Sequence, residues 1–196
     1  MKGPPPGRED ALVIVDVQND FLPGGALAVS EGDAVIPPLN EAIRTFAEAG
    51  LPVFATRDWH PADHCSFFDR GGIWPPHSVA GTHGAAFAKA LKLPASAAII
   101  SKAAGSDADV YSGFAGTDLA QRLSEEGVAR VFVGGLATDY CVLNTVLDAL
   151  KEGFDVIVLE DAVRAVEVES GDGARAITRM RDAGADFALT RAALGG

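Results

Sequence analysis

Six short apolar runs set the frame of this chain: Ala11–Val15, Val53–Thr56, Ala97–Ser101, Val131–Val133, Phe154–Leu159 and Ala185–Leu189. Runs of this length, rich in β-branched and aromatic residues, read as strands buried on both faces. Four of the five intervals between them carry helical periodicity. Val35, Ile36, Leu39, Ile43 and Phe46 mark an amphipathic helix over Asp33–Ala49, stopped at Gly50. Further helices are expected at Thr117–Glu126, from Thr138 through Leu150, and at Gly173–Ala183. Such alternation predicts a three-layer α/β/α domain, a mostly parallel six-stranded sheet with helices on both faces. The 196 residues suit one domain of this kind, and no repeat or linker divides them. Residues 11–196 are expected to form it, after a loosely ordered extension over residues 1–10.

The fifth interval breaks the rhythm. From Arg57 to Pro94 the only helical candidate is a short one at Ala85–Leu91. Loops this long in a compact domain are usually functional or disordered. This one holds all four histidines and both tryptophans, which argues for order and function.

In open parallel sheets, ligands bind outside the carboxyl ends of the strands. Asp16 follows the first run, Asp58 and His60 the second, Lys102 the third, and Cys141 lies past the fourth. After Val131–Val133, two glycines break the strand, and Thr138 is placed to cap a helix whose first turn holds Asp139, Tyr140 and Cys141. Amides at a helix start bias a thiol toward thiolate and can hold an oxyanion. Asp139 works against that bias. Cys141 is then either a small buried hydrophobe or a nucleophile. As a nucleophile it needs a base and a cation, which Asp16 and Lys102 can supply if burial raises the Asp16 pKa.

Asp58 and His60 are two apart, on one side of an extended segment, and His77 follows seventeen residues later in WPPH. A carboxylate with two imidazoles suits one divalent metal ion, zinc first, then iron or manganese. The alternative is a set of surface histidines capping loop backbone. His64 and Asp69 are candidates for extra or supporting ligands. Cys65 reads as a small loop hydrophobe and His83 as a surface residue. Phe21, Trp74 and Tyr140 flank these groups and either wall a flat aromatic substrate or simply pack.

Acidic residues outnumber basic ones 27 to 16, for a net charge of −11, and no basic cluster stands out. Nucleic acid and anionic membranes both require a positive face, so neither is expected as a partner. Two cysteines make no disulfide framework, and the N-terminal MKGPPPGRED lacks the apolar core of a signal peptide. A cytoplasmic protein is expected, with homo-oligomerisation left open.

Several motifs together resemble the nicotinamidase (pyrazinamidase) group of isochorismatase-like cysteine hydrolases, from Ala11 to Leu189. They are VDVQNDFLPGG, TRDWHPADHCSF, WPPHSVAGT, the ISK ending at Lys102, YSGFAGTDL and GGLATDYCV. DxH together with WPPH is the part most specific to nicotinamidases. The resemblance implies a Rossmann-like isochorismatase fold, with Asp16, Lys102 and Cys141 as the catalytic triad. It further implies Asp58, His60 and His77 as metal ligands, and the backbone amides of Ala137 and Cys141 as an oxyanion hole beside a cis Leu136–Ala137 peptide. Phe21, Trp74 and Tyr140 fall where the family lines its pyridine pocket. The implied reaction is hydrolysis of nicotinamide to nicotinate and ammonia through a cysteine thioester, in NAD salvage, with pyrazinamide as a second substrate.

The chain departs from the family at His83 in THG, where TPG is common, and at Leu136, where valine is more usual. An N-carbamoyl amidohydrolase sharing the triad is the alternative, and the metal ligands disfavour it. A vinyl-ether hydrolase of the same superfamily would need neither Cys141 nor DxH/WPPH. A metal–water hydrolase and a non-catalytic binding module are the remaining rivals, and both leave the triad without a purpose.

Overall fold

A computed structural model describes residues 5–196. Its strands are β1 (Asp10–Val15), β2 (Val53–Asp58), β3 (Ala98–Lys102), β4 (Arg130–Leu136), β5 (Asp155–Arg164) and β6 (Asp186–Ala188). They form one sheet in the order β3-β2-β1-β4-β5-β6, and every pair is parallel. The expected sheet is therefore borne out, and it is parallel throughout. Helices α1 (Ile36–Glu48), α2 (Leu119–Glu125), α3 (Leu143–Lys151), α4 (Asp172–Asp182) and α5 (Thr190–Ala193) cover it.

The apolar run of β1 explains why both faces are covered. Successive side chains of a strand point to opposite faces. Ala11, Val13 and Val15 join one core with residues of α2, α3 and α4, while Leu12 and Ile14 join another with α1 and α5. All five are fully buried, and each of the larger side chains stabilises the fold by about 1.5–3 kcal/mol through burial.

Order reaches back before β1. Asp10 takes the Arg130 guanidinium in a two-pronged ion pair, and its carboxylate also accepts the Gly7 amide. β5 runs five residues beyond the expected Leu159, to Arg164. The expected helix at Ala85–Leu91 does not form. Turns take its place, with an antiparallel bridge from Phe87 to Gln18. Its apolar residues have a local reason to be buried without a helix, since Ala88 and Leu91 pack into the core beside α1. No helix among the described residues is long and apolar enough to cross a membrane.

The chain lays down β1, β2 and β3 outward in one direction, then returns to place β4, β5 and β6 on the other side. The order reverses between β1 and β4, and a crevice opens there at the carboxyl ends. Asp16 follows one of those strands and Cys141 follows the other.

Candidate active site

Asp16 comes first on this rim. It adopts a left-handed backbone (φ 48°) directly after β1 and is fully buried. Thr56 Oγ1 donates to its Oδ1 at 2.7 Å. Lys102 ends β3, two strands away, and its buried stem reaches across β2. Its ammonium contacts Asp58 Oδ1, lies 2.9 Å from Asp16 Oδ2 and donates toward Cys141 Sγ at 3.4 Å. Asp16 Oδ2 is buried and pairs with that ammonium, with the Cys141 thiol as its other polar neighbour. It remains open to accept a proton.

Cys141 lies just before the helix expected to begin at Thr138, on different backbone. Thr138–Val142 forms a π-helical turn with Ala137 as its N-cap, and the α-helix begins only at Leu143. No side chain caps this turn, so Thr138 does not take the expected part. Leu136–Ala137 is cis, as the resemblance implies. Gly135 is required just before it: its φ is 130°, and a Cβ there would stand 2.1 Å from the Val15 carbonyl oxygen. That close approach brings the end of β4 against β1. Asp139, expected to oppose a thiolate, is engaged elsewhere and accepts the amides of Val166 and Glu167 at 2.9 Å each.

The resting thiol is not the thiolate that a helix start suggests. Burial pushes the Cys141 pKa well above the ordinary thiol value, Lys102 works the other way, and Asp16 and Asp58 add to burial. One ammonium shared by two carboxylates has little charge left to hold a thiolate. Burial also raises the Asp16 pKa, against the pull of Lys102, which is the condition the base role needs. Lys102 is opposed by burial, yet Asp16 and Asp58 hold its pKa well above the usual lysine range, so it stays an ammonium.

Asp58, His60 and His77 form a second cluster, all three buried, with one donor atom from each within 4.8 Å of the others. His60 Nδ1 lies 3.0 Å from the His77 carbonyl oxygen and His77 Nδ1 lies 2.8 Å from that of Pro75. A carbonyl only accepts, so both Nδ1 atoms carry the proton and both Nε2 lone pairs are left free. Burial lowers the pKa of His60 to about 4 and lowers that of His77, so both rings are neutral, the form that ligates. Lys102, with burial opposing, holds Asp58 below the usual carboxylate range and therefore ionised. This donor set fits a divalent cation.

His64 is outside the set. Its Nδ1 pairs with Ser66 Oγ at 2.7 Å and its Nε2 with the Ala108 carbonyl at 3.1 Å, leaving no lone pair directed at the cluster. The ring instead packs against His60, with centroids 4.3 Å apart. Asp69 is exposed in a 3-10 turn over Phe68–Arg70. His83 is exposed, and Cys65 is partly buried in the loop.

A narrow cavity joins the two clusters, touching Asp58, His77 and Cys141. Phe21, Trp74 and Tyr140 all line it. Trp74 meets Tyr140 edge to face at 5.1 Å, and the Phe21 ring lies 5.6 Å from His77.

A family model, the isochorismatase domain, matches residues 10–192. The chain belongs to the isochorismatase family. Within that family it is 39% identical to the nicotinamidase of Escherichia coli (strain K12), over 89% of this chain and 92% of that one. It is similar to the pyrazinamidase of Pyrococcus horikoshii solved in complex with zinc, at 52% identity and a TM-score of 0.89, covering 92% of this chain and 99% of that one. The PnC1 protein of L. infantum, solved in complex with nicotinate, is 38% identical with a TM-score of 0.86, covering 95% of each chain.

Two residues of this isochorismatase-family site escaped the sequence reading. Gln18 donates its amide to the carbonyls of Asp58 and Ala85 at 2.8 and 2.9 Å, and accepts the Asp58 amide at 2.8 Å. Its only signal in the sequence was a polar residue three past the end of β1, inside the VDVQNDFLPGG motif. Tyr111 also lines the cavity; its hydroxyl accepts Trp74 Nε1 at 3.2 Å and donates to Asp109 at 2.7 Å. The YSGF motif contains it, but nothing local shows which way the ring turns.

Proposed function

We propose that this chain hydrolyses nicotinamide to nicotinate and ammonia, with Cys141 as nucleophile, in the cytoplasm as part of NAD salvage. One observation carries the reading. Asp58 belongs both to the Lys102 network around Cys141 and to the His60–His77 cluster, and a single aromatic-walled cavity opens on both. Nicotinamide has one group for each: a carboxamide carbon for the thiol and a ring nitrogen for a Lewis acid. A divalent ion held by Asp58, His60 and His77 would supply that Lewis acid, with zinc as the ion the donor set favours.

The chain's own residues then carry the chemistry. Asp16, with its pKa raised by burial, accepts the Cys141 proton as sulfur attacks the carboxamide carbon. The Lys102 ammonium stays beside the sulfur and offsets the negative charge left there as the proton departs. The amides of Ala137 and Cys141 receive the developing oxyanion. Asp16 returns the proton to the leaving nitrogen, and ammonia departs from a thioester. Water then attacks the thioester, Asp16 takes its proton, and the thiol is restored as nicotinate leaves. Phe21, Trp74 and Tyr140 hold the ring flat and exclude bulk water.

The test is ammonia release from nicotinamide, with metal analysis of the same preparation. Turnover by protein holding one divalent ion per chain is expected. Metal-loaded protein that spares nicotinamide but cleaves an N-carbamoyl substrate would replace this reading with its rival.

A further inference from the structure

Asp58 is shared by two sets of potential ligands. One is the set with His60 and His77. In the other, a carboxylate oxygen of Asp16, one of Asp58 and Cys141 Sγ lie within 4.8 Å of one another, and all three residues are buried. A sulfur with two carboxylates is a donor set that thiophilic divalent ions take readily. In this protein Lys102 Nζ fills the space between them, against Asp58 Oδ1, 2.9 Å from Asp16 Oδ2 and 3.4 Å from Cys141 Sγ. A second observation also points to a cation at this place. Asp16 Oδ2 is fully buried, and the cation it faces is that ammonium, at 2.9 Å.

The arrangement has the outline of a two-cation site bridged by one carboxylate, with an ammonium in the second position. We propose that Lys102 occupies the second cation position of this site and so keeps divalent metal off Cys141. Removing the ammonium while leaving its space empty opens a thiolate-containing site for a second, thiophilic ion. The physical reason lies in the tether. A free ion that enters must displace a covalently held cation from between the two buried carboxylates that pair with it. Burying an unpaired charge is strongly unfavourable. The device matters because a cation site and a thiol here share one carboxylate. A metal-bound sulfur would lose the lone pair that attacks the substrate.

Charge and bulk can be separated by two substitutions. Lys102→Leu removes the ammonium but keeps an apolar side chain without a donor atom in the gap, whereas Lys102→Ala removes both. A role confined to pairing with Asp16 predicts identical metal binding for the two variants. The experiment is run in a Cys65→Ser background, which leaves Cys141 as the only thiol of the chain's two. Cadmium is titrated, bound metal is counted after dialysis, and the ultraviolet cadmium–thiolate charge-transfer band is followed. Lys102→Ala should hold one ion more than its parent and show the band. The parent, Lys102→Leu, and Lys102→Ala combined with Cys141→Ser should each lack both the extra ion and the band. A band in the parent, or no extra ion in Lys102→Ala, overturns the proposal.

Should Lys102→Ala fail to fold without metal, refolding becomes the readout. Cadmium must then restore far-ultraviolet circular dichroism to Lys102→Ala and not to its Cys141→Ser combination. Recovery of both, or of neither, counts against it. All of these are binding measurements made relative to the parent. They stand apart from whether nicotinamide is the substrate or whether the histidine cluster is loaded.

Discussion

The rim of the sheet and the long loop beside it reach the same degree of order by different means. Asp16, Lys102 and Cys141 are placed by strand ends, and the parallel register fixes where β1, β3 and β4 stop. His60 and His77 stand on a segment with almost no regular structure, yet they are as deeply buried. Their positions come from hydrogen bonds that replace a ladder. His60 pairs its backbone with Ser78 and Ala80, Ser78 donates to Asp20 at 2.7 Å, and Gln18 straps Asp58 to Ala85. A sheet tolerates loss of a side chain at its rim because its ladder survives. A loop held by side chains does not.

The largest expected effect lies wholly on the rim. Cys141→Ala should lower kcat by about ten-thousandfold or more, since it is the only thiol among the described residues that line the cavity. Circular dichroism and nicotinamide binding should be unchanged, and ammonia release above a tenth of wild type would remove the thioester route. Asp16→Asn comes next, with a loss of about a thousandfold for want of a proton acceptor. Bound metal, measured on the same protein, should stay at the wild-type level. If it falls, the rim and the loop are one unit and the contrast drawn above is lost.

The loop cluster should govern which amide reacts. Nicotinamide has a ring nitrogen and benzamide does not, although their shapes nearly match. Chelation, or His77→Ala, should cost nicotinamide about a hundredfold in kcat/KM and leave benzamide much less affected. Equal losses for both, in folded protein, would favour a metal–water mechanism. Gln18→Ala sharpens the point, because this residue touches neither substrate nor metal. Losing three buried hydrogen bonds should destabilise the fold by about 2–3 kcal/mol. It should also weaken metal binding by about tenfold, through Asp58 and the backbone it steadies. Metal affinity that stays constant in an equilibrium titration would break the link between loop anchoring and the cluster. The smallest effect is expected at the cavity wall. Tyr111→Phe leaves Trp74 Nε1 without its acceptor and should raise KM by about fivefold with little change in kcat, equivalent to about 1 kcal/mol. A drop in kcat instead would place Tyr111 among the reacting groups.

Much of this protein was written in its local sequence. The β1 run Ala11–Val15 dictates a strand covered on both faces, because no polar residue in it could face water. Gly134–Gly135 marks where the backbone passes close to another strand, although β4 runs on through both to Leu136 instead of breaking there. Chemistry-bearing residues after several strand ends identify the rim, since parallel strands all present their carboxyl ends on one side. The DxH spacing sets Asp58 and His60 on one side of the chain, and the WPPH motif supplies the third donor.

Tertiary structure decided what depends on distance across the sheet or on the withdrawal of water. The ionisation of Cys141 is one such property. Sequence offers a helix start and one lysine, but folding adds burial and divides that lysine between two carboxylates, so the thiol rests neutral. Asp139 is another, a neighbour in sequence that the fold hands to the amides after β5. The turn at Thr138–Val142 is π-helical where periodicity suggests the α-helix already begun, because apolar spacing fixes which face is buried and not how the first turn is wound. Ala85–Leu91 has helical spacing and forms none, its segment held by a bridge to Gln18 from sixty-nine residues earlier in the chain. Propensity acts between near neighbours. Charge pairing, desolvation and long-range hydrogen bonds act between residues that only the folded chain brings together.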